Sequence, residues 1–554
     1  MANRKATSSS VTRIGTRYRN NRLRGPYDAI VIGSGLGGLS SASALAKSGK
    51  KVLVLEQHYT AGGFTHTYDR EGYEWDPGVH YVGKMGHDSF EKRIFDYVTD
   101  GKVKWSPLDK NFDRFYMGEE QYDFFSGRKD FVKSLKAQFP DEGVNIDRYM
   151  KKVITVTRLF KLTLTEKFLS PKIAGIYSSF IKKALPSYFY KTTYDVLIEI
   201  TQNENLIALL TAQWGTFGVP PKSSSFHMHC LIQEHYLDGA YYPVGGSLEI
   251  AKAIIPVIQA EGGDVFTYAR VENIIVANGR ATGVKMSDGH EILASTVISN
   301  AGVTNTFKHL LPEQAVKKWG YDEKLKGLSP STSNISLFVG VKEDAKSLNL
   351  PNRNIWIYPD GQHDKNVNDF ETDQSKEFGM FISFPSTRDP SFSQRHPGRS
   401  TITMITFLPF SIFEKWDGTI WGKRGEDYEK LKEHYSQRML SALYEKLPQL
   451  EGKIDYYEAG TPLTTQYYSD YQSGETYGLK HDSARFEQNW LTPQTKIPGL
   501  YLTGQDVLAC GVVTAAATGL MTASNVLGWQ SWKILKSYLN KPFSKGIEPE
   551  IIST

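Results

Sequence analysis

Apolar and polar positions divide the chain into stretches of two periods. Residues 27–32, apolar but for Asp28, and 52–55 are short apolar runs, the pattern of strands buried on both faces of a sheet. Between them, residues 39–48 are mostly small, which predicts a closely packed helix. A helix is also predicted over 247–260, closed by Gly262-Gly263, which suits a C-cap. Residues 265–269, 271–277 and 281–286 read as three short strands forming a small meander, with turns at Asn278-Gly279 and Asp288-Gly289. A further strand, 294–299, ends at Asn300-Ala301-Gly302. Residues 107–237 turn helical, aromatic and patchily basic, and from 310 to 471 apolar β-type runs alternate with aromatic-rich loops. The last strand, 499–502, precedes a helix from near Thr514 to about Trp529. No apolar stretch reaches the roughly 18 residues of a bilayer-spanning helix.

Charge changes this picture only once it is located. The formal net charge is +5, yet Arg4, Lys5, Arg13, Arg17, Arg19, Arg22 and Arg24 all fall in residues 1–26, which hold no acid. Setting those seven aside leaves the body at −2, with no basic footprint for nucleic acid. Residues 1–26 read as a disordered basic arm that could touch anionic lipid or serve as an organelle-targeting segment. With 554 residues the chain should form two or more lobes. Two cysteines, Cys230 and Cys510, cannot build a disulfide framework and fit a reducing, intracellular compartment.

The chemistry concentrates around the first two strands. Gly33, Gly35 and Gly38 stand in G-x-G-x-x-G spacing, with Ser34, Leu36 and Gly37 between them. The first two glycines allow a tight turn and close approach of backbone to a pyrophosphate, and Gly38 lets helix and strand pack closely. The helix N-terminus offers free N–H groups to phosphate. Glu56, at the end of the second strand and followed by Gln57, is placed to accept both hydroxyls of an adenosine ribose. A second glycine turn, Gly62-Gly63-Phe64-Thr65, is expected to close over the cofactor, with Val271, Asn300 and Ala301 nearby. Near the other end of the chain, Gly504 and Asp506 would meet the ribitol of a flavin, and the helix start at Val512-Val513 its pyrimidine edge. The reading is an α/β fold: a Rossmann-type FAD-binding domain of the two-dinucleotide-lobe kind, a discontinuous α+β substrate domain and a helical, membrane-facing cap. The FAD-binding domain would comprise 27–106, 241–309 and 472–535, with the cap at 107–240, the substrate domain at 310–471 and a tail at 536–554.

Residues 158–191 carry seven basic residues against one acid, Glu166. Ile173, Ile176, Tyr177, Phe180, Ile181 and Ala184 form one apolar stripe at helical spacing, flanked by Lys172, Lys182 and Lys183. Such a helix can lie in a membrane interface, giving peripheral attachment at the cytoplasmic face, or pack on its own core.

Motifs spread over residues 27–527 resemble the phytoene desaturase and carotenoid isomerase superfamily of flavoproteins, most closely its saturases. The resemblance rests on Asp76-Pro77-Gly78-Val79-His80-Tyr81-Val82-Gly83, on Tyr241-Tyr242-Pro243-Val244-Gly245-Gly246-Ser247, and on Ser383-Phe384-Pro385-Ser386-Thr387-Arg388-Asp389-Pro390. It continues through Gly460-Thr461-Pro462-Leu463-Thr464 to Leu502-Thr503-Gly504-Gln505-Asp506, where carotenoid isomerases usually end in Gly-Asp. Phe64 departs from the polar or basic residue often found at that turn in the desaturases. The hydrophilic arm departs from the secretory segment of vertebrate saturases, so their location does not carry over.

The resemblance implies FAD-dependent saturation of one carbon–carbon double bond of a retinoid or carotenoid. Desaturation, cis–trans isomerisation or action on polyunsaturated fatty acids are alternatives, the last with Arg388 holding a carboxylate. The 31 Tyr, 28 Phe and 10 Trp can line a tunnel for an apolar polyene. No second G-x-G-x-x-G exists for a nicotinamide, so electrons come from a transient donor. His80, Tyr81, Tyr467 and His481, with Tyr468, are the candidate proton donors, although each residue type more often braces or packs. The pair His227-x-His229, with His235, would share a face on a strand, but no carboxylate or thiolate completes a ligand set, and no catalytic metal is expected.

Overall fold

The computed structural model describes residues 13–86, 89–166, 171–376, 379–531 and 534. A six-stranded, all-parallel sheet organises the cofactor lobe, in the order Thr16–Arg17, Asp264–Thr267, Val52–Leu55, Ala29–Ile32, Thr296–Ser299, Leu500–Leu502. Its central strands, Ala-Ile-Val-Ile and Val-Leu-Val-Leu, are buried at every position, which is why they read as unbroken apolar runs rather than alternating ones. The helix Leu36–Ala46 is buried all round, between the sheet and the helices Leu248–Ala260 and Val512–Leu527. Only small side chains permit that packing: a Cβ on Gly519 would stand 2.6 Å from the Gly37 carbonyl oxygen and 2.8 Å from the Ser41 nitrogen.

The basic arm is not disordered over its described part. Thr16–Arg17 adds the edge strand of the parallel sheet. Arg24 donates from Nε and Nη2 to Asp264 Oδ1 at 2.9 and 2.6 Å, and the Tyr27 hydroxyl donates to Oδ2 at 2.6 Å. Part of the arm's charge is therefore spent within the lobe; residues 1–12 and 535–554 lie outside the described residues. The meander differs as well. It consists of Val271–Ala277, Arg280–Met286 and Glu291–Leu293, all antiparallel, while Asp264–Thr267 joins the parallel sheet beside Val52–Leu55.

The second lobe is a seven-stranded mixed sheet in the order Ile454–Gly460, Ser333–Val341, Ser400–Leu408, Met380–Ser383, Asn354–Tyr358, Asn111–Met117, Glu120–Phe125. The hairpin Asn111–Met117/Glu120–Phe125 comes from the stretch expected to be helical cap; it completes this sheet through a parallel pairing with Asn354–Tyr358. The cap proper starts after it, with the helices Arg128–Gln138, Gly143–Glu166 and Pro171–Ala184. His227, His229 and His235 sit on a helix, Phe226–Tyr236, not on a strand. Positions two apart on a helix diverge, and each of the three histidines is engaged by neighbouring protein groups. His227 bonds the Ser225 hydroxyl at 2.6 Å, His229 the Tyr149 hydroxyl at 2.8 Å, and His235 accepts from Gly83 N at 2.8 Å.

Candidate active site

One cavity of about 2290 Å³ runs from the glycine turns of the parallel sheet to the face of the mixed sheet. Pockets for single small ligands run to roughly 1,000 Å³, so this one has room for a dinucleotide and a long substrate together. Seventeen of the nineteen residues expected to bind the cofactor line it, from Gly33 and Glu56 at one end of the chain to Gly504, Asp506, Val512 and Val513 at the other.

The two that do not, Ser34 and Gly38, work behind the wall. Ser34 donates its N–H and its hydroxyl to Glu56 Oε2 at 2.8 and 2.6 Å, while His58 N donates to Oε1 at 2.8 Å. A buried carboxylate is thereby fixed at the rim, with acceptor capacity left on both oxygens. A Cβ on Gly38 would collide with the Gly33 carbonyl, so this position sets how near the helix comes to the strand.

The cradle fits a dinucleotide. Gly33 takes φ +91 at the strand end, the helix Leu36–Ala46 points its N-terminus at the cavity, and a Cβ on Gly63 would lie only 2.8 Å from Gly35 Cα. Two backbone turns approach each other there with no side chain between them, and the void beside them has the fixed carboxylate of Glu56 at its edge. Gly35, Gly37, Gly62, Gly63 and Glu56 would hold the adenosine diphosphate half of FAD; Asn300, Ala301, Gly504 and the start of the helix Val512–Leu527 would hold the flavin half. Asp506 lines the cavity, yet its oxygens also accept from Val303 N at 2.8 Å and Leu479 N at 3.0 Å. It ties three loops together as well as facing the site.

The expected proton donors separate. His80 lines the cavity beside Phe381, and its Nδ1 is buried with no partner among the described residues. Burial, reinforced by the Arg388 guanidinium, pushes its pKa down to about 3, so the ring is neutral at ordinary pH. Tyr81 also lines the cavity, stacked on Tyr236 at 4.4 Å, with its hydroxyl 3.3 Å from Asp113 Oδ2.

Tyr467 does not line the cavity: it is 53% exposed and stacks on Trp421, leaving Tyr468 to face inward. His481 is fully buried behind the wall, and its Nε2 accepts from Arg485 Nη1 and from Cys510 N, both at 2.8 Å. Burial and the Arg485 charge hold its pKa well below the usual histidine range. It braces the loop before the helix Val512–Leu527.

Arg388, considered above for a substrate carboxylate, is 1% exposed and taken up by the protein. It donates to the His80 carbonyl, to Ser383 Oγ at 2.9 Å and to Asn354 Oδ1, while Asn354 Nδ2 donates to Asp113 Oδ1 at 2.6 Å. The carboxylate reading of Arg388 falls with that network.

The far end of the cavity is apolar. Trp214, Trp356, Phe381, Ile405 and Phe407 come from four separate elements, and nothing local in the sequence singles them out.

Glycine cradle, ribose-side carboxylate and joined apolar chamber define a class, the FAD-dependent oxidoreductases of two-lobed fold. The profile of the flavin-containing amine oxidoreductases matches residues 36–527, and the chain belongs to that family. It is 38% identical over 527 residues to all-trans-retinol 13,14-reductase of Rattus norvegicus, covering 92% of this chain and 86% of the relative. Prolycopene isomerase of Daucus carota is 29% identical, covering 90% of this chain and 80% of its own. Putrescine oxidase shares the fold, with a TM-score of 0.61 at 14% identity, over 90% of this chain and 99% of the oxidase.

Proposed function

We propose that this enzyme saturates one carbon–carbon double bond of a retinoid or carotenoid polyene. The observation that carries the reading is the continuity of the cavity, which joins the dinucleotide cradle to the apolar chamber under Trp214, Trp356 and Phe407. The similarity to the rat retinol reductase over nearly the whole chain supports it.

FAD, held by the cradle, would supply the hydride equivalent once reduced by a transient donor. The chain's own residues bind, orient and keep water out. A polyene offers few polar handles, so its affinity comes from area buried against the aromatic walls, at about 25 cal/mol per Å². His80, neutral and in the wall beside the chamber, is the residue we assign to relay a proton from solvent to the second carbon: one ring nitrogen gives up its N–H as the other takes a proton from a water, so the ring ends neutral. Arg388 holds the His80 backbone in place.

We assign bilayer contact to residues 158–191. On the helix Pro171–Ala184, Ile176 and Phe180 are 67% and 74% exposed, while Ile181 packs on the cap core; the Ile173 side chain lies outside the described ones. Among the described residues no helix is long and apolar enough to cross a membrane.

The test is anaerobic. Flavin-loaded protein is reduced with dithionite, all-trans-retinol is added in detergent, and both spectra are followed. Flavin reoxidation with loss of one double bond's polyene absorbance is the expected result. A change of isomer with the flavin still reduced makes the protein an isomerase instead, and no change of either spectrum removes retinol as substrate.

A further inference from the structure

We infer that a basic groove beside the cavity mouth is a docking site for the headgroups of an anionic phospholipid bilayer. The groove, of about 820 Å³, lies between the helices Arg128–Gln138 and Gly143–Glu166. Helical spacing builds it. Lys129, Lys133 and Lys136 recur at intervals of four and three on the first helix, and Lys151 and Arg158, seven apart, face them from the second. Arg128 completes six cations against a single lining carboxylate, Asp147, which Lys136 pairs at 2.7 Å. The floor is apolar: Val132, Met150 and Ile154 lie under the charges. Cationic walls over an apolar floor suit a phosphate headgroup with the top of its acyl chain, which a free anion would leave half unmatched.

Two placements connect the groove to substrate entry. Arg128, Ile154 and Arg158 line both the groove and the large cavity, so the two openings share a wall. The stripe Lys151, Thr155, Arg158 continues one turn on to Leu162, 43% exposed, and the Tyr177 hydroxyl donates to the Leu162 carbonyl at 3.1 Å. That bond ties this helix to the one exposing Ile176 and Phe180. The groove's second cationic helix is thus tied to the helix with the exposed apolar side chains, an arrangement that seats a protein on a charged interface. The assignment extends the bilayer contact proposed above. It is read without turnover, so it stands or falls apart from the identity of the polyene.

The experiment is sedimentation of flavin-loaded protein with vesicles of phosphatidylcholine alone or with added phosphatidylserine. Binding is expected to require the anionic lipid and to weaken as salt is raised. Lys129→Glu/Lys133→Glu/Lys151→Glu, which changes groove residues that do not line the cavity, should weaken binding to anionic vesicles on the order of a hundredfold. Flavin content and rate in detergent should be unchanged. Ile176→Ser/Phe180→Ser should weaken binding to the same vesicles without altering its salt dependence. Equal binding to both vesicle types, or a triple variant that binds as wild type, overturns the proposal. So does displacement by inorganic phosphate at constant ionic strength, which would make the groove a free-anion site.

Discussion

At the scale of single residues, two histidines of similar expectation receive opposite roles from their surroundings. Both keep a buried Nδ1 without a partner among the described residues, but His80 faces a chamber, while His481 lies behind the wall with its Nε2 accepting from Arg485 and Cys510. His80→Gln should slow single-turnover flavin reoxidation by roughly 10²- to 10⁴-fold, the usual worth of a positioned proton-transfer group, with little change in Tm. His481→Phe should do the reverse. It leaves the buried Cys510 N–H and one Arg485 N–H unpaired, at about 1–3 kcal/mol each, and lowers Tm while the bound fraction turns over normally. A large rate effect with unchanged Tm for His481→Phe would return it to the chemistry. The sequence could not separate the two: both stand in motifs near the flavin, and only the packing of Arg485 and Cys510 onto one of them decides. The motif glycines, by contrast, were legible, because their requirement is local backbone geometry.

At the scale of elements, the crossing of Leu36–Ala46 with Val512–Leu527 joins the two ends of the chain under the cofactor site. Gly519 makes the crossing possible, with no room for a Cβ between it and the Gly37 carbonyl oxygen. Gly519→Val should push the helices apart and cost about 1–3 kcal/mol by overpacking. Because both helix N-termini border the cavity, Tm and flavin content, read as flavin absorbance per protein, should fall together. Normal flavin content in a destabilised protein would separate the crossing from the site. The two strands flanking the first helix were readable from unbroken apolar runs, since a strand buried on both faces shows no alternation. The hairpin Asn111–Met117/Glu120–Phe125 was not. Its sequence, Asn-Phe-Asp-Arg-Phe-Tyr-Met, carries buried charge at Asp113, which becomes tolerable only through Gln213 and Asn354 from distant segments.

At the scale of the molecule, burial of histidines sets an acid limit. His58, His66, His229 and His363 are pushed down to about 4, and His80, His227 and His235 to about 3, in each case first by desolvation; His481 is likewise held well below the usual histidine range. A base whose pKa is lower in the folded state stabilises fully above its unfolded value, near 6.5, and loses that contribution as pH falls toward the folded one. Asp76 and Asp113, raised to about 6 by burial, act oppositely: they favour the fold below the ordinary aspartate range and lose that contribution as pH rises through 6. Eight histidines against four carboxylates raised by burial, these two with Asp364 and Glu475, decide the sign. Thermal melts of the flavin-loaded protein should show Tm dropping steeply from about pH 6.5 to pH 4.5. A flat Tm across that window would mean the histidines are solvated in solution.

The division between sequence and structure follows from the range of the interactions. Turn geometry, apolar period and the spacing of Gly33, Gly35, Gly38 and Glu56 act over a few residues, so the parallel sheet, the cofactor and the chemical class could be read directly. The same holds for Gly504 and Asp506, whose strand–turn–helix setting is local. Tertiary structure alone decided the rest. It folded residues 16–17 into the sheet, turned Tyr467 outward and buried Arg388 in a polar network spanning residues 80 to 388. It also gathered Trp214, Trp356 and Phe407 into one chamber. Each of these outcomes depends on what a side chain meets from distant parts of the chain, and burial, not spacing, determines whether it serves the substrate or the fold.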